Sequence, residues 1–295
     1  GGSNAPHACL PNRQERQRRF PLLTVSSFPC VVATSLQQDV SIHGSECAVF
    51  YRQEPPAEPL GFSTVAINYV YELTTKKRQE VPSPVPISEL IGQLPVVQGR
   101  SRPIKVLNRL TVVMSEASPF VSFPLENRPN DAEYRAFDLL AIQPTTEKLF
   151  HTSCMLCEVD IICISVTEKL PFFFKRAPIN GAIDRGVVFE VSYASALRDS
   201  TMRRYTIANA VCLMESCKGK NVIVSSAAEK ALDLRGPYDI INLGALFGLS
   251  DADSKEAVSS TCRAVLLHAE TRKTASGIVS TRKSQQEGLQ DCVGS

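Results

Sequence analysis

Six short runs rich in β-branched residues recur along the chain, and their spacing constrains the fold more than any other feature. Each run is almost continuously apolar, which is typical of strands buried on both faces, whereas half-buried strands alternate apolar and polar residues. The runs are residues 64–69, 104–114, 138–144, 160–166, 187–193 and 221–227.

Helical patterns separate several of these runs. They cover residues 146–157, 199–214, 239–249 and 251–267. Strand, helix and parallel strand in succession predict an α/β fold, and at this length a (β/α) barrel of the TIM type is the simplest closure. A doubly wound open sheet is the alternative, but no Gly-rich phosphate-binding turn follows the first strands.

The two ends of the chain differ from this alternating region. Residues 1–46 hold a basic cluster and an apolar run broken by Ser and Pro. A degenerate signal or transit peptide and an unstructured extension are both open interpretations, and the broken run favours the second. We therefore expect residues 1–46 to lack stable packing, the barrel to occupy residues 47–268, and residues 269–295 to form a basic, then polar, tail.

The charge balance excludes a global electrostatic argument for nucleic-acid binding, since 32 Lys and Arg face 30 Asp and Glu. Any basic surface must be local. The ten cysteines are scattered, which favours free thiols in a reducing compartment over a disulfide framework. No apolar run is long enough to predict a membrane-spanning helix.

A series of distinctive blocks lies between about Gly61 and about Lys283. They are "LPVVQGRSRPIKVLNRLT", "TEKLF", "VTEKLPFFFKRAPINGAIDRGVVFEVSY", "RDSTMRRYTIANAVCLMESCKGKNVIVSSAAE", "LRGPYDIINLGALFGLS" and "CRAVLLHAETRKTASGIVSTRK". Together these blocks closely resemble the thirty-kilodalton protein subunit of eukaryotic ribonuclease P and ribonuclease MRP. The match is specific because it extends over so many segments.

That resemblance implies a distorted TIM barrel related to the polymerase-and-histidinol-phosphatase metal hydrolases. It implies a non-catalytic protein without a cofactor, which supports RNA-catalysed removal of 5′ leaders from precursor tRNA and the processing of rRNA. The implied location is the nucleus and nucleolus. The implied partners are the RNA component, other protein subunits, especially a small RRM-like subunit, and indirectly precursor tRNA.

The front of the chain departs from the family pattern, which opens with a strand carrying an acidic residue and then a helix. Here a strand is expected at residues 48–51, and Tyr51 or Arg52 takes the acidic position. Pro55, Pro56 and Pro59 exclude a crossover helix. We therefore expect the barrel to lack its first helix, with an extended linker over residues 52–59.

A stand-alone metal-dependent barrel hydrolase is the alternative function. Such an enzyme needs a His-x-His pair and further ligands at strand ends, and the four histidines form no such pair. Asp184 and Asp239 are read as caps or Arg partners. Cys154 and Cys157 have ligand-like spacing but share an apolar helix face, which favours buried free thiols. We predict no metal site and no catalytic residue.

The prediction of RNA binding rests on local clusters of basic residues, although a solvated surface charge is the simpler interpretation of any single one. Clusters beside turns and aromatic residues suit contacts to the backbone of a folded RNA. Arg109 belongs to one such cluster, in "GRSRPIKVLNR". The residues predicted to bind RNA are Arg102, Lys105, Lys175, Arg176, Arg203, Arg204, Lys218 and Lys220.

Two further features leave alternatives open. Arg203 and Arg204 lie near a helix start, where the macrodipole disfavours each cation by about 0.3–1 kcal/mol. A phosphate held by free amides and both arginines would reverse this penalty, whereas an ion pair with Asp199 or a neighbouring loop is the alternative. Ser225 and Ser226 end a predicted strand, where they either contact an RNA phosphate or satisfy a backbone turn.

Overall fold

Seven parallel strands form one sheet in chain order, from β1 to β7. The computed structural model describes residues 28–36, 62–72, 81–90, 94, 96, 103–115, 132–228 and 231–274. The strands are β1 (Phe28–Leu36), β2 (Phe62–Glu72), β3 (Lys105–Met114), β4 (Leu139–Pro144), β5 (Ile161–Cys163), β6 (Val188–Ser192) and β7 (Val222–Ser225).

Helices lie between the strands and pack on the sheet. They are α1 (Ile87–Leu90), α2 (Ala132–Arg135), α3 (Glu147–Leu156), α4 (Arg176–Asp184), α5 (Ala194–Arg198), α6 (Ser200–Cys217), α7 (Pro237–Leu246), α8 (Asp251–Ala257) and α9 (Ser260–Lys273), with a short 3₁₀ turn at Ala231–Asp233. All six predicted strand runs form strands. The pattern over residues 251–267 forms two helices, α8 and α9, because the helix breaks at Val258–Ser259.

Residues 1–46 were expected to lack stable packing, but they contain the strand β1. This strand pairs in parallel with β2, from Phe28 opposite Phe62 to Leu36 opposite Tyr69. Its register shifts between Phe28 and Val31, an interval that contains Pro29, which has no N–H to donate to the ladder. The physical reason is that β2 is buried over most of its length and needs a partner for its edge. The predicted strand at residues 48–51 and the predicted linker at residues 52–59 lie outside the described residues.

The sheet is curled, as a buried ion pair between two non-adjacent strands shows. Strands lie about 4.8 Å apart, so a flat sheet would separate β3 from β6 by roughly 14 Å. Yet Arg109 of β3 donates two hydrogen bonds to Glu190 of β6, at 2.6 and 2.5 Å. In addition, β1 and β7 approach within 8 Å between Cα atoms, although no ladder joins them within the described residues.

Other polar side chains of the strands complete this interior network. The second amino group of Arg109 lies 3.0 Å from the Cys163 sulfur, and its Nε donates to the Thr111 hydroxyl at 3.2 Å. Thr111 in turn donates to Asn68 at 2.6 Å. Burial by itself raises the pKa of Glu190, but the Arg109 guanidinium outweighs it and holds the pKa of this carboxyl below its usual value. Both members of the pair are therefore charged in the interior.

A second network fastens α9 to the starts of β4 and β5. Asp160, which precedes β5, accepts hydrogen bonds from His268 Nδ1 at 2.8 Å and from Arg272 Nη2 at 2.9 Å. Asp138, which precedes β4, lies 3.3 Å from Lys273 Nζ. The fold therefore extends to Lys273 and does not end at residue 268 as expected. Arg272 and Lys273 lie in the last turn of α9, where they pair with the carboxylates that precede β5 and β4, and they are not tail cations.

We predict that Arg109→Ala lowers the free energy of unfolding by about 3–5 kcal/mol, because it leaves the Glu190 carboxylate buried without its partner. Lys255→Ala is the matched control: it breaks the exposed pair with Asp251 and should lower stability by less than about 1 kcal/mol. The double variant Arg109→Met, Glu190→Leu should recover most of the loss. Urea unfolding measures all three, and equal losses in the two alanine variants would contradict the prediction.

We predict that the Asp160 network makes the fold sensitive to acid. Burial raises the pKa of Asp160, but the hydrogen bonds from His268 and Arg272 outweigh it and lower this pKa overall. A lowered folded-state pKa contributes stability above the ordinary Asp pKa of about 4, and this stability is lost as the pH falls through the folded value. Asp160→Asn should therefore be less stable at pH 7 and should lose less stability on acidification than the wild type. Asp251→Asn, which removes an exposed carboxylate, should parallel the wild type in a pH series of thermal melts.

Candidate nucleic-acid interface

The start of α6 carries two of the predicted RNA contacts, and its geometry shows how the helix tolerates them. Asp199 caps the helix, and its Oδ1 accepts hydrogen bonds from the amides of Thr201 and Met202, both at 2.8 Å. Two of the amides that a phosphate would bind at this helix start are therefore already satisfied by this side chain. The cap already supplies negative charge at this helix end, and a phosphate held by the two arginines stays a prediction.

Arg203 and Arg204 differ in their surroundings. Arg203 Nε donates to the backbone oxygen of Ala196 at 2.8 Å, near the carboxyl end of the short helix α5. That end carries partial negative charge, so the contact compensates the unfavourable position of Arg203 on α6. Arg204 is exposed and forms no ion pair with a described residue. It is therefore the arginine of the pair that is free to meet an external anion.

Four other predicted cations gather near the opposite end of α6, and we call them the α6-end cluster. They are Lys175, Arg176, Lys218 and Lys220, and all four are exposed. Lys218 is the C-cap of α6, and Ser216 Oγ lies 3.5 Å from the backbone oxygen of Phe174, which brings the start of α4 beside the last turn of α6. Lys175 also pairs with Glu147 at 2.7 Å, with both side chains largely exposed.

The predicted contacts therefore form two groups instead of one patch. At 1.5 Å of rise per residue, Arg203 and Arg204 lie roughly 19 Å from Ser216 along α6. Lys105 is exposed at the start of β3 and belongs to neither of these groups on α6. Arg102 lies outside the described residues.

Arg109 belongs in sequence to a basic cluster that was interpreted as suited to RNA, but its side chain is buried inside the sheet and is not part of that surface. Its side chain is 2% exposed and it is the buried partner of Glu190. The signal was present in the sequence, since Arg109 and Glu190 each interrupt an apolar strand run. Charged residues are almost never buried unless paired, so two such interruptions of opposite sign indicate an interior ion pair.

The remaining candidates have structural surroundings. Both serines at the end of β7 are buried, and Ser226 Oγ accepts a hydrogen bond from the Ala228 amide at 3.3 Å, which supports the backbone-turn interpretation for Ser226. Cys154 and Cys157 are buried free thiols, as predicted, and burial raises the pKa of each to about 12. Within the described residues, no group of three or more His, Cys, Asp or Glu side chains is placed to hold a metal ion.

None of the helices in the described ranges is long and apolar enough to cross a membrane.

Comparison of the sequence with known proteins shows that this chain is similar to ribonuclease P protein subunits. The sequence model described as "RNase P subunit p30" matches residues 53–274. The chain therefore belongs to the RNase P subunit p30 family, as its sequence blocks predict.

Individual relatives agree with this family. The chain is 54% identical over 235 residues to the ribonuclease P protein subunit p30 of Mus musculus, covering 80% of this chain and 86% of the mouse protein. It is 26% identical over 215 residues to the ribonuclease P/MRP protein subunit RPP1 of Saccharomyces cerevisiae, covering 72% of this chain and 70% of the yeast protein. A chain in the cryo-EM structure of archaeal ribonuclease P with mature tRNA shares the fold, with a TM-score of 0.50, 13% identity, and coverage of 87% of this chain and all of that one.

We predict that Arg203→Ala and Arg204→Ala separate RNA binding from folding. Arg204→Ala should weaken binding to ribonuclease P RNA and reduce the salt slope by about one, without a loss of stability. Arg203→Ala should also lower stability, by about 0.5–1.5 kcal/mol at most, because the Ala196 carbonyl loses its donor. Lys255→Ala, which removes an exposed cation from α8, controls for net charge. An unchanged salt slope for Arg204→Ala would exclude Arg204 from the interface.

Proposed function

We propose that this chain is a non-catalytic protein subunit of the ribonuclease P and ribonuclease MRP ribonucleoproteins. It supports RNA-catalysed removal of 5′ leaders from precursor tRNA and the processing of rRNA. The family match from residue 53 to residue 274 carries the proposal, because it spans nearly all of the described fold. In this view the curled sheet is a distorted TIM barrel that acts as a scaffold for RNA and protein contacts in the nucleus and nucleolus.

The interior of the sheet supports a non-catalytic role over the alternative of a stand-alone hydrolase. Glu190 is the acidic side chain of the interior network, and Arg109 holds both of its carboxylate oxygens. A guanidinium at this place repels a cation and competes for the same carboxylate. The names of the relatives likewise support a subunit role and not the hydrolase alternative.

Surface chemistry supports the proposed partners. The exposed cations at the two ends of α6 suit RNA phosphates, whose contacts position a protein on RNA without reading sequence. Met155 and Leu156 lie exposed at the end of α3, and such apolar side chains suit contact with another protein subunit, for which a small RRM-like subunit is our proposal.

The test is affinity purification of the tagged full-length chain from its own cells. We expect the purified material to contain ribonuclease P RNA and to remove the 5′ leader from precursor tRNA. Nuclease treatment of the particle should abolish cleavage, and the recombinant chain alone should not cleave with Mg²⁺ or Mn²⁺, because catalysis resides in the RNA. Activity that survives removal of the RNA would overturn the non-catalytic assignment.

A further inference from the structure

Residues 169–175, which lead into α4, alternate strictly between exposed and half-buried residues. This period of two places successive side chains on opposite sides of the chain. The half-buried residues are Leu170, Phe172 and Phe174, and the exposed residues are Lys169, Pro171, Phe173 and Lys175.

The inward side of this segment is fixed by an aromatic cluster. The rings of Phe172 and Phe174 lie 5.4 and 5.2 Å from the ring of Phe150, and 5.8 Å from each other. Phe150 also stacks on Phe189 of β6 at 6.2 Å. Because both flanking rings are anchored, Phe173 cannot turn inward without expelling its neighbours. Its outward position is therefore imposed by the packing.

Phe173 is consequently an aromatic ring displayed among cations. It is 89% exposed, more than any other large hydrophobic side chain in the described ranges. Lys169 and Lys175 share its side of the segment, Arg176 follows, and Lys218 caps the helix that Phe174 adjoins. Glu147 pairs with Lys175 and offsets one of these charges.

We propose that Phe173 is a stacking platform for an unpaired base of bound RNA, with the surrounding lysine and arginine side chains on the adjacent phosphates. Single-stranded RNA is bound by this combination, because every base has a face that stacks on an aromatic ring while cations follow the backbone. The centres of protein–protein interfaces are instead depleted of lysine. Charge complementarity therefore favours RNA over a protein subunit as the occupant. The inference deepens the proposed function and rests on it.

The chain contains no tryptophan, so a single substitution gives a direct reporter. Phe173→Trp in the full chain should bind a short single-stranded RNA of mixed sequence as the wild type does, with saturable quenching of its fluorescence. Leu232→Trp, placed at another side chain that is 85% exposed, is the matched control and should not be quenched. Phe173→Ala should weaken binding of the same RNA by about tenfold, whereas Phe173→Tyr should retain it. Thermal melts should be unchanged, because the ring makes little contact with the fold.

Three results would overturn the platform. They are wild-type affinity in Phe173→Ala, absence of quenching in Phe173→Trp, and loss of a protein subunit from the Phe173→Ala particle while RNA affinity stays unchanged. The last result would assign the ring to a protein contact. Failure of the platform is distinguishable from failure of the proposed function, because purification of an RNA-containing, leader-cleaving particle tests the function without reference to Phe173.

Discussion

The ion pair between Arg109 and Glu190 is the interaction on which the curled sheet depends. Its two residues come from strands that are three places apart, and the pair forms only when β4 and β5 bend around it. A buried carboxylate and a buried guanidinium are each costly alone and accept few relative geometries. The pair therefore disfavours any register or curvature that separates the two side chains. Asn68, Thr111 and Cys163 fill the remaining polar positions around it.

Helix α6 then sets the distance between the basic groups on the surface. Its ends carry the Arg203–Arg204 pair and the α6-end cluster, roughly 19 Å apart along the axis. That distance exceeds the Debye length of about 8 Å at physiological ionic strength. The two groups therefore act as separate electrostatic contacts, and their substitutions should add. An RNA that meets both must follow the helix or present two segments.

Much of the fold could be predicted from sequence, because strands buried on both faces leave continuous apolar runs. All six runs of this kind form strands in the structure. Helix α4 was missed because Pro178 and Gly181 lower its propensity. A Cβ at Gly181 would lie 2.8 Å from the Met155 sulfur, so this part-exposed, flexible side chain would have to shift to accommodate another residue there. The partner of Arg109 lies 81 residues away, so the buried pair can be predicted only by comparing two interrupted strand runs, and not from the basic cluster around Arg109 alone. The sequence places aromatic residues beside the basic clusters, but only the anchored neighbours of Phe173 show that this ring is the one that points outward.

The strand β1 precedes the region that the family model matches, which begins at residue 53. Its hydrogen bonds to β2 join backbone groups, so this ladder requires an extended chain of sufficient length and no particular side chains. The edge of β2 therefore recognises the backbone of the strand that pairs with it. Substitutions in β1 that keep the chain extended should therefore leave this backbone ladder intact.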